Sequence, residues 1–474
     1  MSVDSSKGQE NDLSLSEAAQ FLGVAESTLR RWLRDGVLKG RKMGRRWRFP
    51  VRELELLKRS GTQPARATVE HVLASLDPRA VALARQARQG QPDPWAEAAL
   101  GLIAHSLLSS ASDLHIEINP SKARIRQRID GVLTPVTDVE LDAARLLVGS
   151  LKELVRLGRA PHPLPQSGTA ELKLGERELQ VNVTTLPTPF GEGATIRIFP
   201  KEAMRLRIEK LGLLDEDYKR FLALVNSPSG LILISSPEGH GRTTTAYCIM
   251  NYHCRPDRAI ISIEDPIEFE LSDIVQTQLE PESGYTAEVA LKAALRSAPN
   301  IIFLSDIKDG KAGSLVCRAA VAGHLVIASL TADNAADAIY RVIQLGVPAP
   351  NLISALCASV SQRLVRTICP RCKDTVAPTD KQLSILRSLT TEPPDTVYIG
   401  RGCADCYNTG FKGRIALFEI LEIGPRVREL VLNHASPAEI RTAVGERGYH
   451  TFAADGLKKI RRGITTVEEV ANAL

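Results

Sequence analysis

Two pairs of cysteines near the C-terminal end have metal-ligand spacing. Cys369-Pro370-Arg371-Cys372 and Cys403-Ala404-Asp405-Cys406 each put two thiolates on a tight knuckle, with thirty residues between the pairs. Four soft sulfur donors select zinc, and a tetrahedron with no open position makes the ion structural. Free thiols are the alternative at these positions. The other cysteines, Cys248, Cys254, Cys317 and Cys357, stand in apolar segments and read as buried, inert thiols. A second constellation is Ser235-Ser236-Pro237-Glu238-Gly239-His240-Gly241-Arg242-Thr243-Thr244-Thr245, behind the apolar run Leu231–Ile234. A strand, a glycine-bearing turn and a helix with free N-terminal amides make a phosphate cradle, the P-loop. Gly239 and Gly241 let the backbone approach phosphates, and Thr243 is placed to ligate magnesium. His240, Arg242 and Thr244 complete the nucleotide-binding candidates of the turn. The match to G-x-x-x-x-G-K-[ST] is broken twice, by Ser236 for the first glycine and Arg242 for the lysine. The third constellation is basic. Between Glu26 and Arg48 nine Lys or Arg face only Glu26 and Asp35, an excess of seven positive charges in a chain of net charge +5. Such a concentrated patch binds polyanions.

Short helices must carry that patch. Ser16 to Leu22 reads as a helix capped by Ser16, Gly23 as the turn, and Glu26 to Arg34 as a second helix. Ala19, Leu22, Val24, Leu29 and Leu33 supply a shared apolar face. Val37-Leu38-Lys39 and Trp47-Arg48-Phe49 flank the basic tip Arg41 to Arg46 as a β-hairpin wing. The arrangement resembles the excisionase/MerR-like winged helix-turn-helix. That resemblance implies DNA binding, with Arg30, Arg31 and Arg34 on the exposed side of the recognition helix. Arg41, Lys42, Arg45 and Arg46 would meet phosphates. A protein-docking module with solvated charges is the alternative.

The chain has 474 residues, room for roughly three domains. Its 43% hydrophobic and 24% charged residues exclude a disordered tail protein or a collagen-like fibre. Aromatics are only 4%, so the cores must be built from Leu, Val, Ile and Ala. No window approaches the ~20 apolar residues of a membrane span, and the N-terminus lacks the pattern of a signal peptide. The expectation is a cytosolic protein. Residues 1–12 are polar and expected to be disordered; 13–60 form the winged helix-turn-helix, and 61–94 a linker and helical segment. From 95 to 205 a helix at Trp95–Ser110 precedes strand-like runs at Leu114–Ile118, Ala123–Ile129, Ala170–Leu174, Leu179–Thr184 and Thr195–Phe199, an α+β domain. From 206 to 474 buried strands at Leu231–Ser235, Ala259–Ile263, Ile301–Ser305 and Leu325–Leu330 alternate with helices, which argues for an α/β domain on a parallel sheet. It includes the zinc subdomain, 367–415.

Further motifs lie in that last region. Ile263-Glu264-Asp265-Pro266-Ile267-Glu268 follows a strand, and Leu295 to Asp309 has the form of a Walker B strand. Ala322-Gly323-His324-Leu325-Val326 and Gln362-Arg363-Leu364-Val365-Arg366-Thr367-Ile368-Cys369-Pro370 complete the set. From about Ala111 onward, their order and spacing resemble the type II secretion ATPases (general secretory pathway protein E) and the type IV pilus assembly and retraction ATPases. The resemblance implies a RecA-like P-loop domain and, before it, a mobile α+β domain that swings over the nucleotide, in a hexamer. Ser112 to Glu117, Arg124 to Gly131, Thr185 to Thr188 and Gly191-Glu192 match that second domain. ATP or ADP with Mg²⁺ at Thr243 is implied as ligand, with Glu264, Asp306 and His324 as catalytic residues. Arg126 and Arg128 would face the phosphates. The tetracysteine element occurs in many of these ATPases, where it looks like a docking platform.

The departures concern turnover. Asp306 stands where the family has glutamate, and withdrawing the carboxylate by about 1.5 Å can cost ~100-fold in rate. The family's His-Thr-Asn is Thr331-Ala332-Asp333, and its Gln-Asp-Gly-Arg is Gln166-Ser167-Gly168-Thr169. The arginine expected before Thr184-Thr185-Leu186-Pro187 is Asn182. Groups that bind are retained and groups that turn over are altered. The expectation is therefore a nucleotide-binding protein with impaired hydrolysis and a fused DNA-binding module. One alternative is an active but slow motor ATPase of a type II secretion or type IV pilus system. Another is a nucleotide-responsive DNA-binding regulator or an inactive docking subunit. Expected partners are further copies or active paralogues in a homo- or mixed hexamer, an inner-membrane platform protein, and DNA. The expected location is the cytoplasm, peripheral at the inner membrane through partners.

Overall fold

The computed structural model describes residues 12–22, 26–34, 40–43, 46–51, 54, 64–87, 93–201, 207–444 and 449–474. The chain divides into two compact units, residues 1–201 and 202–474.

The first unit opens with β1 (Asp12–Ser14), helices α1 (Leu15–Leu22) and α2 (Glu26–Arg34), and strands β2 (Arg41–Met43) and β3 (Arg46–Pro50). The strands form a sheet in the order β1-β3-β2. Ala18, Leu22, Leu29, Phe49 and Leu54 are buried together beneath it. Two expectations are corrected here. Ser14, not Ser16, caps α1: its Oγ accepts from the Glu17 amide at 3.4 Å, and Glu17 Oε2 accepts from the Ser14 amide at 2.8 Å. That reciprocal box uses the Ser-x-x-Glu spacing. Asp12, assigned to a disordered tail, pairs with Pro50 as the start of β1. Residues 1–11, Val24, Val37, Leu38, Lys39 and Arg45 lie outside the described residues.

Six antiparallel strands follow: β4 (Ala111–Ile118), β5 (Ala123–Ile129), β6 (Val132–Val139), β7 (Gln166–Leu174), β8 (Arg177–Thr188) and β9 (Gly191–Pro200). Their spatial order is β6-β5-β4-β9-β8-β7. Period-two alternation explains the single buried face. Ala123 and Ile125 of β5 are fully buried, whereas Arg124, Arg126 and Arg128 point the other way. The helices Pro94–Leu108 and Leu141–Leu154 cover the apolar face. The segment read as a linker with a helix is also part of this core. Its helices Pro64–Ala74 and Pro78–Ala87 contribute Val69, Val72 and Ala80 to the same cluster, and Leu76 joins it from the turn between them.

The second unit is built on eight strands: β10 (Gly230–Ser235), β11 (Ile260–Glu264), β12 (Val275–Gln278), β13 (Ile301–Leu304), β14 (Leu325–Leu330), β15 (Leu356–Ile368), β18 (Phe411–Glu422) and β19 (Tyr449–His450), with the two-stranded β16 (Lys373–Val376) and β17 (Val397–Gly400) between. The order is β12-β11-β13-β14-β10-β15-β18-β19. The pairs from β12 through β15 are parallel. The last two strands pair antiparallel, so the expected parallel sheet is mixed. Every residue of β10 is buried, with Leu231 and Leu233 packed into one face and Ile232 and Ile234 into the other. A strand with helices on both faces must be apolar throughout, which is why its sequence is a continuous run rather than an alternation. Among the described residues no helix is long and apolar enough to cross a membrane.

Candidate nucleotide site and metal centre

Parallel strands present their carboxyl ends on one edge of the sheet, where α/β proteins bind ligands. The P-loop leaves β10 at that edge and runs into the helix Arg242–His253. Gly239 at φ +76° and Gly241 at φ +86° are left-handed, conformations that a side chain resists. Ser236 has no positive φ, so the missing first glycine costs no strain. It is fully buried, and its hydroxyl donates to Pro237 O at 2.7 Å. The neighbouring strand β15 braces the turn. Gln362 donates to His240 O at 2.6 Å and accepts from Thr245 Oγ1 at 2.7 Å, while the Leu364 amide donates to His240 Nδ1 at 2.9 Å. Burial, with Arg363 and Arg414 nearby, lowers the His240 pKa, in line with a ring nitrogen that accepts from the Leu364 amide. The helix thus presents unpaired first amides and a positive dipole end toward any bound phosphate.

The acidic residues sort themselves by register. Glu264 ends β11, is 1% exposed and accepts from Tyr247 at 2.5 Å, Ser262 at 2.6 Å and Gln276 at 3.0 Å. Those three donors occupy a carboxylate expected to be catalytic. Glu268, four residues on and not singled out from the sequence, instead accepts from Thr243 Oγ1 at 3.0 Å. It is the carboxylate that touches the P-loop hydroxyl, and its place in the Ile263–Glu268 motif was the available signal. Asp306 follows β13 at the same edge. Burial raises its pKa, against the pull of Arg242 and Lys308. His324 is a correction. Gly230 pairs with Leu325 and Ser235 with Leu330, so His324 precedes β14 at the opposite edge, about 20 Å along the strand from the P-loop end. There its Nδ1 lies 2.7 Å from Pro299 O, in a cavity of about 500 Å³ with Asn226, Arg258 and Asn300. Its position before a strand was the legible warning.

In the first unit Arg128 and Arg197 fall on one transverse row, and Arg126, opposite His115, on another. Arg128 of β5 opposes Asp113 of β4, which opposes Arg197 of β9; Asn182 of β8 and Thr169 of β7 continue the line. Directly opposed residues share a face. Asp113 holds Arg197 at 3.5 Å and Arg128 at 3.7 Å, and Arg126 pairs with Glu117. Arg197, 68% exposed, was not singled out from the sequence. Thr169, where arginine was expected, donates to Asn182 Oδ1 at 2.9 Å, so two neutral replacements touch each other.

The four cysteines converge. Sulfur separations of 3.7, 3.8 and 3.9 Å link Cys403–Cys406, Cys372–Cys406 and Cys369–Cys403. A tetrahedron with Zn–S of about 2.3 Å has edges of about 3.8 Å, so the donors fit zinc without rearrangement. Burial opposes ionisation of Cys406, yet the amides of Cys403 and Gly410 at 3.2 and 3.3 Å bring its pKa down to about 7. The knuckle needs its glycines. A Cβ on Gly410 would meet Gly400 O at 2.4 Å. A second grouping, Asp217, His450 and Asp455, is a structural staple instead. Lys458 neutralises Asp217 at 2.7 Å and fully buried Lys459 neutralises Asp455 at 2.5 Å.

The basic candidates lie on defined elements: Arg30, Arg31 and Arg34 on α2, Arg41 and Lys42 on β2, Arg46 on β3. Arg30 is 66% exposed, with Glu26 at 3.6 Å.

Sheet order, glycine turn and helix together define a RecA-like P-loop fold preceded by an α+β sheet domain and a helix-turn-helix. Residues 93–472 match the family model for type II/IV secretion system proteins, and residues 13–62 match a helix-turn-helix domain. The chain belongs to the type II/IV secretion system protein family. It is 33% identical over 369 residues to the type II secretion system protein E of Pseudomonas aeruginosa, covering 78% of this chain and 73% of that protein. Identity to the type IV pilus assembly ATPase PilB of Thermus thermophilus is 37% over 370 residues, which span 78% of this chain but 42% of that relative. Among solved structures, Legionella pneumophila DotB ATPase aligns with a TM-score of 0.54 at 17% identity, over 78% of this chain and 94% of that one. The pilus retraction motor PilT with bound ADP aligns at 0.52 and 23%, over 78% and 95%. At these identities the likeness is one of fold.

Proposed function

We propose that this chain binds ATP or ADP with magnesium at the P-loop, is impaired in ATP hydrolysis, and carries a DNA-binding module at its N-terminus. The carrying observation is the split between groups that bind and groups that turn over, the latter in part at the P-loop edge and in part, by the family resemblance, on the first unit. The turn keeps its left-handed glycines and its free helix amides, which grip phosphate without any particular side chain. The groups that stabilise charge in phosphoryl transfer are altered: Arg242 for lysine, Asp306 for glutamate, and Asn182 and Thr169 for arginines. Zinc at the four cysteines holds the subdomain closed. Further copies or active paralogues, an inner-membrane platform protein and DNA are the partners this reading names. The second reading is a slow but working motor, which the positive charge of Arg242 and the carboxylate of Glu268 beside Thr243 favour.

Measuring Mg·ADP affinity and steady-state ATP turnover on the purified full chain tests the proposal. Micromolar-range binding with turnover at least ~100-fold below an active pilus motor in the same assay is the expected result. Because such groups act as a unit, Arg242→Lys or Asp306→Glu alone should restore little. Turnover within ~100-fold of that motor would put the working-motor reading first.

A further inference from the structure

Arg242 opens the helix behind the P-loop, and its guanidinium is already engaged. Nη1 donates at 3.0 Å to Oγ1 of Thr331, the first residue beyond β14 and 89 positions further along the chain. Asp306, beyond the adjacent strand β13, lies close enough for Arg242 to act on its charge. A guanidinium is a planar fork with five donors. Fixing one N–H on a hydroxyl at the sheet edge sets the plane of the whole group and leaves its other edge open.

We propose that Thr331 is a positioning residue for phosphate binding. Its hydroxyl sets the plane of Arg242 so that the remaining N–H groups present a two-pronged grip to the phosphate oxygens of a nucleoside di- or triphosphate in the P-loop. This rests on the nucleotide reading above and extends it, since it assigns part of the affinity to a residue that touches no ligand. Thr331 is itself exposed, so its hydroxyl does not serve to satisfy a buried group. The role is specific to arginine. A lysine ammonium is a point charge with rotatable donors and has no plane to set, so the hydroxyl at position 331 has nothing to orient. Arg242 and Thr331 therefore function as one unit, and the value of either depends on the other.

The test is a double-mutant cycle on Mg·ADP affinity in the full chain. Thr331→Val, nearly the same shape without the acceptor, should weaken binding about tenfold, whereas Thr331→Ser should stay within about twofold of wild type. In an Arg242→Lys background, the Val and Ser variants at position 331 should bind alike. Melting temperatures without nucleotide should agree among all of these, because position 331 is exposed; agreement confirms that any affinity loss is local. Undiminished affinity in Thr331→Val, or the same loss in both backgrounds, overturns the proposal while leaving the P-loop reading in place. Wild-type protein without affinity for ADP or ATP overturns both.

Discussion

Asp306 shows how one side chain's surroundings decide its chemistry. Burial raises its pKa, and Arg242 and Lys308 only partly oppose that rise. The folded chain therefore keeps this proton to higher pH than the unfolded chain does, and stability falls as pH climbs through the folded pKa. Asp306→Asn removes the ionisable group. The variant should melt above wild type at about pH 8, and the gap should close as pH falls toward about 4, where the unfolded carboxyl also protonates. Thermal unfolding across that range without nucleotide is the check; a gap that widens on acidification would contradict the raised pKa. Four of the other altered side chains occur in touching pairs. Arg242 meets Thr331 and Thr169 meets Asn182, so each replacement has found a partner of matching chemistry.

At the scale of elements, the four-cysteine subdomain has little apolar material to hold it. Helix Asp380–Leu389 and the C-terminal helices Phe452–Arg461 and Val467–Ala473 share a modest cluster of Val, Leu, Ile and Phe. The knuckles themselves contribute thiols and turns rather than core. On the proposed zinc reading, metal binding supplies folding energy there, as it does in small zinc-bound modules. Purified protein should carry about one zinc per chain, and Cys403→Ser should release it. Proteolysis should then cut between residues 367 and 415 while the sheet from β10 to β15 stays protected. Elemental analysis and limited digestion read the two effects separately, and metal-free wild-type protein with an intact subdomain would refute the assignment.

At the scale of the whole molecule, the concentration of positive charge on the N-terminal module sets the expected partner. A patch carrying nine Lys or Arg between Glu26 and Arg48 should bind duplex DNA through counterion release. Affinity should fall linearly on a log–log plot against salt. Replacing Arg45 and Arg46 by alanine should lower that slope by roughly 2 and weaken all sequences alike. Arg30→Ala, on the exposed side of α2, should instead change which sequences are preferred. Fluorescence anisotropy with duplexes of different sequence distinguishes these outcomes, and no binding at low salt would leave a protein-docking role.

Local pattern was enough to predict the elements that need no distant partner. The apolar runs at Leu231–Ser235 and Leu325–Leu330, the glycine turn and the cysteine spacing each carry their structural meaning within a few residues. An α/β domain on a sheet of parallel strands, the α+β sheet domain and the helix-turn-helix were legible on that basis, while the RecA-like form came from the resemblance of the motifs to the secretion ATPases. Tertiary structure decided what depends on register and strand direction. The long strands β15 and β18 mix polar and apolar residues irregularly, so only pairing across 10 register positions reveals them. Glu264 and Glu268 are nearly equivalent in sequence. The three donors from Tyr247, Ser262 and Gln276 bury one, and the chain's exit from β11 brings the other to Thr243. Arg197 joins the arginine row because β9 lies beside β4, an adjacency set by the packing of helices over the sheet. His324 falls on the far edge because β14 runs parallel to β10, placing residues before a strand opposite those after it. Those facts are set by long-range packing, which orients each strand before any side chain can choose its neighbours.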